Sequence, residues 1–169
     1  MPLAEVVLPE FDQEMASTRR ALERVPEGQF AWQPHPKSMT LGRLATLIAE
    51  LPFWAVNALT KDESDFAPPG APPFQPRTLE SRARILALFD QNVQAARRAI
   101  AATSDADLAK PCALKSGGQV VWTKSTCDVY RSTVINHLVH DRGQLTVYLR
   151  LHDVPVPVLY GPTADERGA

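Results

Sequence analysis

Asn136 to Glu166 reads NHLVHDRGQLTVYLRLHDVPVPVLYGPTADE, and its two halves obey different rules. The first half continues a segment that starts near Asp128. Val134, Leu138, Leu145 and Leu149 recur there at steps of four and seven, the spacing of one apolar seam on a helix ending near Leu151. The second half, Val154 to Pro162, holds three prolines, which fix φ and lack an N–H donor, so an extended tail is expected. Within the helical half, His137 and Asp141 are four residues apart and lie about 40° apart in projection, one turn from each other. His140 falls about 60° from His137 and points elsewhere.

Three further segments upstream carry the same periodicity. Phe11, Met15, Thr18, Leu22 and Val25 alternate steps of four and three until Pro26-Glu27-Gly28 stops the run. Thr40 is placed to cap a second helix, whose stripe is Leu41, Leu44, Ile48, Leu51, Ala55 and Ala58. A third begins after Thr78 with Leu79, Leu86, Phe89, Val93, Ala96 and Ile100, and fades at Thr103-Ser104-Asp105. Four amphipathic segments in a chain of 169 residues predict a single all-α domain over 1–169, folded as an antiparallel helical bundle.

The connections are unequal. Ala67 to Pro76, APPGAPPFQP, holds five of the fifteen prolines and predicts a stiff extended link, long enough for a crossover between helices two and three. Lys115 to Gln119 reads as a turn feeding Val120-Val121-Trp122, a short hairpin-like insertion around 112–126.

Composition narrows the function classes. Eighteen basic and nineteen acidic side chains give a formal charge of −1, which offers no electrostatic drive toward nucleic acid or an anionic membrane. No stretch approaches the roughly 18 or more uncharged apolar residues of a spanning helix, and Glu5, Glu10, Asp12 and Glu14 fall where an export signal needs a basic start. A cytoplasmic protein is expected. Cys112 and Cys127 are read as small buried thiols, with pairing across the insertion as the alternative.

The helical pair His137 and Asp141 admits two readings. A nitrogen and an oxygen at this spacing can chelate a divalent ion, although a catalytic ion usually takes three protein ligands, so a third must come from a facing helix. Equally, the pair can be an intrahelical ion pair worth about 0.2–0.5 kcal/mol. Gly143 costs its helix about 1 kcal/mol against alanine, which suggests close approach of another helix or a ligand. Trp32, Trp54, Trp122 and Tyr148 are candidates to line an apolar pocket, with Arg142 beside them, or else to anchor the core.

The run from Asn136 to Glu166 resembles the C-terminal signature of the DinB/YfiT-like superfamily, in which members read close to NHxxHHRGQLxxYLR, with VPxxYGPSADE in one branch. WQPHPKSMTLGRLATLIAELPFW, from Trp32 to Trp54, is similar to that family's second helix and the loop entering it. The resemblance implies an up-down-down-up four-helix bundle, often a homodimer, with a pocket at one end. It also implies three histidine ligands for a divalent ion, which fall in this chain on Leu47, His137 and Asp141. Only His137 matches, and Asp141 would favour harder ions than two imidazoles do.

Glu50, three residues after Leu47, could complete a site of one nitrogen and two carboxylates, or pair instead with Arg131 or Arg142. The cofactor is accordingly a zinc, nickel or manganese ion, or none. Two functions follow from the resemblance. One is a small-molecule-binding or non-catalytic dimeric module with a degenerate metal site. The other is a metal-dependent enzyme like the superfamily's thiol-dependent S-transferases and isomerases, with a thiol substrate.

Overall fold

The computed structural model describes residues 3–167. Four long helices carry the core: α1 (Leu3–Leu22), α2 (Leu41–Thr60), α3 (Arg82–Ala101) and a last helical stretch that closes the chain's helical part. Between α3 and that stretch come a short α4 (Asp105–Ala109) and strands β2 (Pro111–Ser116) and β3 (Gln119–Ser125), while β1 (Glu63–Asp65) follows α2. The last stretch is α5 (Thr126–Val129), a π-helical segment Tyr130–Asn136, and α6 (His137–Leu151), with right-handed helical backbone at both junctions. No helix among the described residues is long and apolar enough to cross a membrane.

Each helix of the core touches two others. α1 packs on α3 and α6, and α2 packs on α3, on α6 and on the π segment. The periodic residues make these contacts: Phe11, Met15, Thr18 and Leu22, the whole stripe from Leu41 to Ala58, and Val134, Leu138, Leu145 and Leu149 are all buried. Apolar stripes of this kind leave water only by facing each other, which is the main drive for assembly.

Two helix starts show how local chemistry sets boundaries. Thr40 caps α2 as its sequence predicts, its hydroxyl accepting from the Arg43 N–H at 3.2 Å. The third helix, expected after Thr78, begins at Arg82 because Ser81 takes the capping position and accepts from the Arg84 N–H. Leu79 is therefore not the first helical residue. It is buried all the same, on an extended segment whose N–H donates to the Thr46 hydroxyl at 2.9 Å. Gly42 lets this segment close down on α2: a Cβ there would lie 3.0 Å from the Phe30 carbonyl and 3.2 Å from that of Leu79.

The insertion is a three-stranded sheet rather than a hairpin alone. β2 and β3 pair antiparallel around Gly117-Gly118, both in the left-handed region that a two-residue hairpin turn requires. β1 adds parallel to β2, Glu63 opposite Ala113. Cys112, Val129 and Ala58 form a small second core beneath it, with Trp122 packed against them. Both cysteines are free thiols; Cys112 is buried and Cys127 half-buried.

The C-terminal tail lacks helix, as its prolines dictate, and it is clamped by a segment that folds back on itself. Asp165 takes an ion pair from Arg150 and the Val156 N–H, and Glu166 takes Arg24 at 2.6 Å and the Val158 N–H. These contacts hold both acidic carboxyls below the ordinary carboxylate range: the Arg150 pairing acts first for Asp165, and the Val158 hydrogen bond for Glu166.

Candidate functional site

Residues Arg43, Leu47, Glu50 and Trp54 follow one another on α2 at steps of four, three and four, forming a second stripe beside the buried one. All four line a cavity of about 510 Å³. His137 at the start of α6 closes one side, and Leu88 and Asn92 of α3 another. Phe74, Gln75 and Arg77 reach it from the proline-rich connection, and Phe53 stands beside Trp54. The Trp54 and His137 rings meet edge to face, 5.6 Å between centroids.

Helix α6 reaches this cavity straight from the π segment. Within that stretch Ser132 and Thr133 turn their hydroxyls back onto the carbonyls of Asp128 and Val129, which loosens the regular helical ladder. Such wide turns recur where a helix must present a side chain off its regular register.

Asp141 lies behind His137, its Oδ2 3.3 Å from Nε2. The approach is not aligned as a hydrogen bond, and this buried oxygen has no hydrogen-bond partner among the described residues. Burial pushes the Asp141 carboxyl above its ordinary range, while His137, His140 and Arg43 pull it back. A buried carboxylate oxygen without a hydrogen bond is costly, and the Tyr130 hydroxyl and His152 Nε2 are buried in the same state elsewhere in the fold.

The family's metal can be tested against these side chains. His137 and Asp141 supply two adjacent donors. Leu47, where the resemblance puts a third ligand, lines the cavity and offers only carbon. Glu50 is held by Arg43 on its own helix at 3.2 Å. It does not pair with Arg131 or Arg142, because those guanidiniums are taken by Glu10 and Glu14 of α1. Among the described residues no three His, Cys, Asp or Glu side chains converge to hold an ion. A chelating pair without a third ligand does not fit a three-ligand centre.

The other sequence candidates separate. Trp54 is on the cavity rim. Tyr148 and Trp32 belong to a different cluster, ring to ring at 5.4 Å with His152 against Trp32 at 4.3 Å, and the Tyr148 hydroxyl donates to the Met39 carbonyl. Arg142 is buried toward α1 and the tail. Trp122 lies on the sheet beneath Lys124. Gly143 has open space where a Cβ would stand, so no close neighbour accounts for it.

Arg43, Phe53, Phe74, Arg77 and Asn92 are cavity residues that the sequence reading passes over. The step pattern from Arg43 to Trp54 carried the signal for the first of these. Nothing in the sequence reports that the proline-rich connection folds back over α2.

The family model described as the DinB superfamily matches residues 10–145. The chain belongs to the DinB superfamily. Among solved structures it is similar to a DinB-like protein from Bacillus cereus ATCC 10987, with a TM-score of 0.69 at 22% identity over 90% of this chain and 95% of that one. A DinB-like protein from Bacillus subtilis has the same TM-score at 15% identity, over 90% and 96%. Likeness at such identity speaks to the shared DinB-like fold. A comparison with curated proteins gives no match.

Proposed function

We propose that this DinB-superfamily chain is a small-molecule-binding module whose metal site has degenerated to His137 and Asp141. In this reading it is an up-down-down-up four-helix bundle that works as a cytoplasmic homodimer without metal-dependent chemistry. The supporting observation is the donor set around the cavity: Leu47 brings carbon, Glu50 is committed to Arg43, and His137 and Asp141 are left alone. The cavity itself supports ligand binding, since a hollow of this size lined by aromatic rings and a few polar groups is how small-molecule sites are built. Unpaired thiols at Cys112 and Cys127 agree with a reducing compartment.

Elemental analysis of the purified protein and of His137→Ala tests the reading. Folded, metal-free protein that stays empty after incubation with zinc, nickel and manganese is the expected result. Stoichiometric metal that disappears in the variant would overturn it. Sedimentation at micromolar concentration checks the dimer, which a monomer would refute. The competing reading is a metal-dependent enzyme of the thiol-transferase or isomerase type. Its support is the unpaired Asp141 oxygen beside His137, which an ion could satisfy.

A further inference from the structure

Three aromatic side chains stand in solvent around the cavity on α2: Phe53 is 45% exposed, Trp54 39% and Phe74 71%. Single exposed rings are ordinary, but three gathered around one hollow form an apolar surface that a ligand would cover. The rings come from two elements, α2 and the proline-rich connection, and so face the space from different sides.

The charges around the same space are uneven. Arg43 is held by Glu50 at 3.2 Å and by the Arg77 carbonyl at 3.0 Å, so the one carboxylate lining the cavity is already engaged. Arg77 lines the cavity too, and its guanidinium makes no hydrogen bond or ion pair among the described residues. Its backbone is nonetheless fixed to α2 on both sides, through its own carbonyl on Arg43 and through the Leu79 N–H on Thr46. The result is a free planar cation on a fixed root, beside a set of aromatic rings.

We propose that the cavity binds a small aromatic carboxylate, with its ring against Trp54 and Phe74 and its carboxylate on the Arg77 fork. A guanidinium matches a carboxylate through two parallel N–H···O bonds, which gives orientation as well as attraction. The exposed rings favour a flat aromatic body, and a volume of about 510 Å³ admits one or two fused rings. This inference rests on the reading of the cavity as a small-molecule site and adds the chemical class of the ligand.

Calorimetric titration with 2-naphthoate and its neutral isostere 2-naphthamide tests it on the full chain at low salt. The carboxylate is expected to bind about tenfold more tightly than the amide. Arg77→Gln, a change at an exposed position, should bring the carboxylate down to the amide's affinity and leave the amide unchanged. Trp54→Ala should weaken both probes alike. Equal binding of the two probes to the parent protein, or a preference that survives Arg77→Gln, overturns the inference while the small-molecule reading stands. Binding of neither probe overturns both. Probe affinity that falls as protein concentration rises would assign the aromatic face to a second copy of the chain, and would overturn the inference as well.

Discussion

Asp141 and Arg142 are consecutive residues of α6, 2% and 1% exposed, and about 100° apart around the helix. Their surroundings are opposite. Arg142 donates to the Glu14 carbonyl and the Thr18 hydroxyl, both at 3.1 Å, pairs with the Glu14 carboxylate at 2.7 Å, and donates to the Tyr160 hydroxyl. Tyr160 in turn donates to Glu14 at 2.7 Å, so three charged or polar groups from α1, α6 and the tail satisfy one another. Asp141 meets His137 at 3.3 Å and, among the described residues, leaves one buried oxygen without a hydrogen bond. A buried polar group that is fully paired ties elements together. One left incomplete beside a cavity is a cost that a binding site can explain.

The contrast can be broken at the Arg142 end first. Arg142→Met leaves the Glu14 charge buried and unpaired, and chemical denaturation should show a loss of about 3–5 kcal/mol. Adding Glu14→Gln should recover part of that loss, and a double-mutant cycle reads the coupling. An Arg142→Met protein as stable as the parent would show that the cluster is not a clamp. Tyr160→Phe removes one bridging hydroxyl and should cost about 1 kcal/mol in the same assay.

At the other end the sign reverses. Burial raises the Asp141 carboxyl, so the folded chain holds this proton more tightly than the unfolded one. The stability linked to that proton is full below the ordinary carboxylate range and is lost as pH rises through the raised value. Asp141→Asn keeps the neutral form at all pH values. It should therefore be more stable than the parent at neutral pH, by about 1 kcal/mol, with the gap closing on acidification. A destabilised variant would mean that the oxygen has a favourable partner, such as an ion.

The smallest effect is expected in the tail. Asp165 and Glu166 have depressed carboxyls, so their contribution is present above the ordinary carboxylate range and is lost as pH falls through the depressed values. Hydrogen exchange over residues 154–166 should speed up on acidification, and Asp165→Asn should bring the same loosening to neutral pH. Tail protection that ignores both changes would place the clamp in the Arg142 cluster alone.

Much of the helical architecture was legible because burial is periodic. The stripe from Leu41 to Ala58 is buried throughout, and the Thr40 cap forms as its side chain predicts. Both proline-rich segments lack helix, for the reason that proline lacks a donor. The third helix starts later than its apolar pattern suggests because Leu79 is buried ahead of it, on a segment whose N–H is tied to Thr46 of α2. β1 was not legible either, since three polar residues pair through backbone that carries no sequence signal.

The candidate site divides in the same way. His137, Asp141, Leu47 and Glu50 were all singled out from spacing and resemblance, and Leu47, Glu50 and His137 line one cavity with Asp141 behind. What each side chain is bound to was beyond the sequence. The sequence offered Glu50 two arginines, Arg131 and Arg142, but these pair with Glu10 and Glu14 of α1, and the partner of Glu50 is Arg43. By itself the sequence determined the apolar stripes of the long helices and the proline-rich breaks between them, because these depend on side-chain type and local spacing. Tertiary structure alone decided that Arg142 is a clamp, that Arg77 and Phe74 join the cavity, and that Asp141 keeps an unpaired oxygen, because hydrogen-bond partners and burial are set by which distant segments come together.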